Sequence, residues 1–139
     1  MNNLQKKITL LINKKKTLLG VGPMSLNVVN SSIELSNKYN APIMLIASRR
    51  QIECEEFGGG YVNNWNTKEY SKYIFDNKKS NNVYLARDHG GPWQNSIDVQ
   101  QKVSLAKAMV SAKKSFEQDI DSNFKFIHID TSIDIHKKI

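Results

Sequence analysis

The sequence predicts an α/β fold of parallel strands joined by helices, on three observations. Four short runs are almost entirely apolar, as strands buried on both faces are. The segments between them carry apolar residues three and four apart, the period of a helix packed on one face. Each run leads into polar and glycine residues, the texture of the functional loops that follow strands in parallel sheets.

A helix is expected around Leu4 to Ile12. The first strand is expected at residues 17–22, where Thr17-Leu18-Leu19-Gly20-Val21 closes on Gly22-Pro23. Ser25 can cap the helix that follows, whose apolar positions Val28, Val29, Ile33 and Leu35 fall roughly three or four apart. The second strand, residues 43–48, follows Ala41-Pro42, and Thr67 can cap the next helix, which carries Tyr70, Tyr73, Ile74 and Phe75. The third strand, residues 83–87, follows the turn-like Ser80-Asn81-Asn82. The longest helical pattern begins near Ser96 and shows Val99, Val103, Leu105, Ala106, Met109, Val110 and Ala112. The fourth strand is expected at residues 125–130, around Phe126-Ile127-His128-Ile129. After the first helix the order is β-α-β-α-β-α-β, and right-handed crossovers place such strands in one parallel sheet. No repeat or low-complexity linker divides the chain, so residues 1–139 are expected to form one domain. Two architectures stay open: a small open sheet, or about half of an eight-stranded barrel with its strands in sequential order. Either leaves sheet edges that call for cover or pairing.

The 20 lysines and arginines outnumber the 13 acidic residues, for a net charge of +7. They are scattered in short runs such as Lys14-Lys15-Lys16 and Lys113-Lys114, with no basic arm interleaved with aromatics. Solvated helix faces account for most of them, and nucleic acid is not the expected partner. No stretch of about 18 apolar residues is present, so no membrane span is expected. Leu10-Leu11-Ile12 is too short for a signal-peptide core. The single cysteine, Cys54, excludes an internal disulfide and fits a reducing cytoplasm, the expected location. Glu53 and Glu55 beside it disfavour a thiolate, so it is not read as a nucleophile. Gly20-Val21-Gly22 lacks the third glycine of a dinucleotide loop, and no Walker-type phosphate loop occurs.

Residues just past the strands carry the candidate chemistry: Gln51 after the second, Asp88-His89 after the third, Asp130 after the fourth. All four are expected at one rim, within reach of a single small ligand. Imidazole is a common zinc ligand, and an adjacent carboxylate can move a proton beside a metal. The plainer alternative is an Asp88 that caps a turn and a half-buried loop histidine. His128, inside a strand, reads as a core or interlayer histidine, and His136 as a solvated tail residue.

The block Arg87-Asp88-His89-Gly90-Gly91-Pro92-Trp93-Gln94 resembles the Gly-Asp-His-Leu-Gly-Pro-x-x-Trp-Gln signature of the accessory subunits of class II D-tagatose-bisphosphate aldolases. Gln51 with Phe57-Gly58-Gly59 is similar to their segment after strand two, and Ile127-His128-Ile129-Asp130-Thr131-Ser132 to their fourth strand. The resemblance implies the N-terminal half of a TIM-type (β/α) barrel, and ketose-bisphosphate aldol chemistry or support of it in carbohydrate metabolism. It implies Asp88 as the proton-transfer residue and His89 as a zinc ligand. Gln51, Gly58, Gly59, Arg87, Asp130 and Ser132 would face a phosphorylated sugar. Arg87 stands where the accessory subunits usually carry glycine, and is expected on a phosphate or in a salt bridge at the rim. The other metal-binding histidines of catalytic members lie on later strands, so zinc is expected to be weak or absent here. The expected function is therefore that of a non-catalytic subunit, truncated at half a barrel, that self-associates or joins a catalytic aldolase subunit. The alternatives are an active zinc aldolase completed by another chain, and an α/β domain that binds phosphosugars or nucleotides without catalysis.

Overall fold

The structure, a computed structural model, describes residues 3–137. In chain order it contains α1 (Asn3–Asn13), β1 (Leu19–Val21), α2 (Leu26–Tyr39), β2 (Ile43–Ser48), α3 (Thr67–Asn77), β3 (Val83–Gly90), α4 (Ser96–Gln100), α5 (Leu105–Asp121) and β4 (Phe126–Ile129). The four strands pair in parallel in the order β1-β2-β3-β4. Sequential order with the first strand at an edge is the arrangement of half a (β/α) barrel, and sets aside a sheet wound both ways from its middle. Among the described residues no helix is long and apolar enough to cross a membrane.

Burial alternates along β2, and the registered partners Ile43–Val83, Leu45–Leu85 and Ala47–Arg87 share the face covered by helices. There Leu45, Leu85, Val29, Ile33, Tyr70 and Ile74 close a core between the sheet and α2 and α3. The opposite face carries Met44, Ile46, Tyr84 and Ala86, with the Tyr84 and Phe126 rings edge to face at 6.5 Å.

Helix starts follow cap chemistry. Ser25 accepts from the Val28 amide at 3.3 Å, as expected. Asn66, not Thr67, caps α3, because it forms a reciprocal capping box with Glu69. The long pattern from Ser96 is two helices, since Asn95 caps α4 and Ser104 caps α5. Leu105, Met109 and Val110 are exposed, as is Leu35 on α2. The face of α5 that meets the sheet is Ala108, Ser111, Ala112, Ser115 and Asp119, small and polar because it receives two buried arginines.

Arg49 donates to Glu53 Oε2 at 2.5 Å, to the Gly91 carbonyl at 2.7 Å and to Ser111 Oγ at 2.8 Å. It thereby ties the loops after β2 and β3 to α5. Arg87 is only 1% exposed and donates to both Asp119 oxygens, at 2.8 and 2.6 Å, and to the Ile52 carbonyl at 2.6 Å. The expectation that Arg87 meets phosphate or a rim salt bridge is corrected. It shares the parity of Val83 and Leu85, so its side chain enters the layer between sheet and helix. Such a pair holds its elements together chiefly because either charge left alone there would be costly.

Candidate functional site

β3 runs through the Arg87-Asp88-His89-Gly90 block, and its pairing with β4 is irregular there. Arg87 pairs Ile127 and Gly90 pairs Ile129, so Asp88 and His89 together oppose the single His128. Two residues against one is a β-bulge, a device that re-aims side chains next to sites. His89 takes a φ of 45°, the left-handed region. Consecutive strand residues normally diverge; here the bulge keeps both side chains in one cluster.

That cluster is a chain of hydrogen bonds. His128 Nδ1 lies 3.0 Å from Asp88 Oδ1, and His89 Nδ1 lies 2.8 Å from Asp130 Oδ2. His89 Nε2 stands 3.5 Å from Asp88 Oδ2, and Gln94 Nε2 donates to Asp130 Oδ2 at 2.7 Å. Asp130 is buried, its backbone amide donates to the Gly90 carbonyl at 2.7 Å, and the Ser132 amide donates to its Oδ1 at 2.9 Å. The Ser132 hydroxyl and amide first, and His89 after them, hold the Asp130 carboxyl down to about 2. Burial works to raise the Asp88 carboxyl, but the hydrogen bonds from His128 and the His89 amide, with the imidazole charges, outweigh it and set it below its ordinary value. Both carboxylates are therefore ionised and accept hydrogen bonds at neutral pH. With Asp130 on Nδ1, His89 donates there, and its Nε2 faces Asp88 Oδ2 at the wall of the cleft.

Gly91 allows the fourth strand this close, since a Cβ there would stand 1.7 Å from the Asp130 carbonyl oxygen. Beside the cluster opens a cleft of about 460 Å³ whose walls include Ser48, Arg50, Gln51, Tyr61, Asp88 and His89.

Asp88, His89 and Gln51 thus share one cleft at the C-terminal rim, with Asp130 joined to them through His89. Ser132 sits behind Asp130 and positions it. Gly58 and Gly59 do not line this cleft. Their φ values of 84° and 65° close the turn after the 3₁₀ segment Glu55–Phe57, and their amides donate to the Glu55 and Cys54 carbonyls. His128, expected in the core, is exposed and paired with Asp88, because it faces the bulge. Sequence reasoning passed over Gln94 and Arg50. Gln94 belongs to the motif block, and Arg50 differs from buried Arg49 only in the direction it leaves the turn after β2. His136 is exposed but not free, lying 2.9 Å from the Val103 carbonyl and against the Trp93 ring. The Cys54 thiol is pushed up to about 11, by burial first and by Glu53 second, so it stays protonated.

Among the described residues no group of three His, Cys, Asp or Glu side chains is arranged to hold a metal ion. His89, held through Nδ1 by Asp130, offers one ligand atom in Nε2, whereas a catalytic zinc site calls for three protein ligands.

Compared with solved structures, the chain is similar to the crystal structure of a probable tagatose 6 phosphate kinase from Sinorhizobium meliloti 1021, with a TM-score of 0.72 and 16% sequence identity. The match covers 88% of this chain and 31% of that protein, so the chain spans about a third of its length. At that identity the likeness establishes the fold and nothing further. No protein-family model and no curated protein matches the sequence.

Proposed function

We propose that this chain is an accessory subunit of the class II tagatose-bisphosphate aldolase type, which binds a phosphorylated ketose at the C-terminal rim and does not itself cleave it. The observation that carries the reading is the paired network His128–Asp88 and His89–Asp130, set on a bulge beside a polar cleft. A sugar presents many hydroxyl donors and a carbonyl acceptor. Ionised Asp88 can take hydroxyl protons in hydrogen bonds, and His89 offers Nε2 at a place fixed by Asp130. The fold shared with a probable tagatose 6 phosphate kinase supports a sugar-phosphate setting. The absence of a fitting metal-ligand set among the described residues supports leaving the bond-breaking step to a partner subunit. A partner also suits the outward apolar residues Met109, Val110 and Ile129 near the β4 edge, which are at least half exposed.

The test is an aldol-cleavage assay on the purified chain with added Zn²⁺, beside calorimetric titration with tagatose 6-phosphate. The expected result is saturable binding without turnover, with binding lost in Asp88→Ala. Robust metal-dependent cleavage that disappears in Asp88→Ala would replace the accessory reading with an active enzyme.

A further inference from the structure

The cleft holds three hydrogen-bond donors that lack a good acceptor. Gln51 Oε1 accepts from the Ser48 amide at 2.8 Å, which fixes the carboxamide and turns its NH₂ inward. That NH₂ rests on Met24 Sδ at 2.8 Å. The Tyr61 hydroxyl leans on the same sulfur at 3.9 Å. A thioether is a weak acceptor, so two donors converge where an oxygen would serve far better. The third donor is Arg50. Arg50 lines the same cleft and has no ion-pair partner among the described residues, whereas Arg49 and Arg87 are locked in buried pairs. Met24 is 59% exposed, so its side chain can swing aside at little cost.

We propose that Arg50, Gln51 and Tyr61 form an oxyanion subsite that takes the phosphate of a phosphorylated sugar, with Met24 as the group it displaces. This rests on the rim being a sugar-phosphate site, and it orients the ligand there. The phosphate lies on Arg50, and the hydroxyl-bearing carbons lie toward Asp88 and His89. Ionised Asp88, which lines the same cleft, repels a phosphate, so the reverse orientation is disfavoured. Arg50 is thus a specificity residue, separating phosphorylated from free sugars through charge-assisted hydrogen bonds in a fork matched to phosphate.

The test titrates wild type, Arg50→Gln and Asp88→Ala with tagatose 6-phosphate, tagatose and inorganic phosphate, after confirming unchanged thermal unfolding midpoints. Wild type should bind the phosphate ester at least tenfold tighter than the free sugar. Arg50→Gln should bring that ratio close to one without weakening tagatose, and should weaken inorganic phosphate in step. Asp88→Ala should weaken both sugars and spare inorganic phosphate. If Arg50→Gln keeps the wild-type ratio, the subsite is wrong even where loss of sugar binding in Asp88→Ala upholds the rim. If inorganic phosphate binds through Arg50 while neither sugar binds, the subsite stands and the sugar-phosphate reading falls. Failure of wild type to bind any of the three overturns both.

Discussion

The two ends of the strands make opposite use of charge. At the C-terminal end the helices begin, and ionised Asp88 and Asp130 sit among histidines beside a cleft with under-used donors. At the N-terminal end the helices finish, and Lys78 and Lys125 line a second cleft of about 360 Å³ beneath α1. Burial first, then the charge of Lys125, pulls the Lys78 ammonium below its ordinary value. Two converging lysines look like an anion site, yet their partners are already present. The Lys78 ammonium lies 3.9 Å from the centre of the Phe75 ring at the C-terminal end of α3, where cations are favoured, and Lys125 donates to the Asn123 side chain. Lys7 on α1 reaches the Asn81 carbonyl at 3.5 Å and bonds the Asn82 side chain, joining the helix to the same end. The proposed subsite is thus marked by unmet hydrogen bonding rather than by concentration of charge.

The largest expected effect falls in the layer that fixes both ends. Asp119→Ala strands Arg87 without its carboxylate and should cost about 3–5 kcal/mol in denaturant unfolding. A loss under ~1 kcal/mol would show that the pair contributes no more than a surface contact. The second effect separates the ends by pH. Asp130 is held at about 2 in the folded chain against about 3.9 when unfolded, a depressed carboxyl. Its stabilisation is complete above about pH 4 and is lost as pH falls towards about 2. Asp130→Asn should therefore flatten the acid limb of a stability–pH profile, and an unaltered limb would remove the carboxylate from its assigned role. The smallest effect belongs to the lysine end. Lys78→Ala should cost less than about 1 kcal/mol and leave tagatose 6-phosphate affinity unchanged. A tenfold loss of affinity would move the ligand to the N-terminal cleft and reverse the comparison.

Strand positions were legible because apolar runs of this length have few other uses in a parallel sheet. The Asp88-His89 pair was legible because strand ends collect polar groups. Parity was the neglected signal: Val83 and Leu85 face the helices, so Arg87 two residues on does too, and the phosphate candidate had to be sought at Arg50. The inner face of α5 was not legible, because hydrophobicity marks a core only where the core is apolar, and this one is ionic. The approach of His128 to Asp88 depends on the bulge, a pairing between strands about forty residues apart that no local pattern encodes.

That bulge also bears on how the gene can change. Beyond Ile127 the third strand runs one residue ahead of the fourth, so the ladder resumes only at Gly90–Ile129. Deleting either Asp88 or His89 would restore even pairing and spare the helix-facing core. It would also leave either His128 without its carboxylate or Asp130 without its imidazole. Surface loops absorb such length changes freely, but here a single-codon deletion would yield a well-folded chain with a dismantled rim. In an alignment of relatives, gaps should therefore collect in the turns after α1 and α3 and be missing from these two columns.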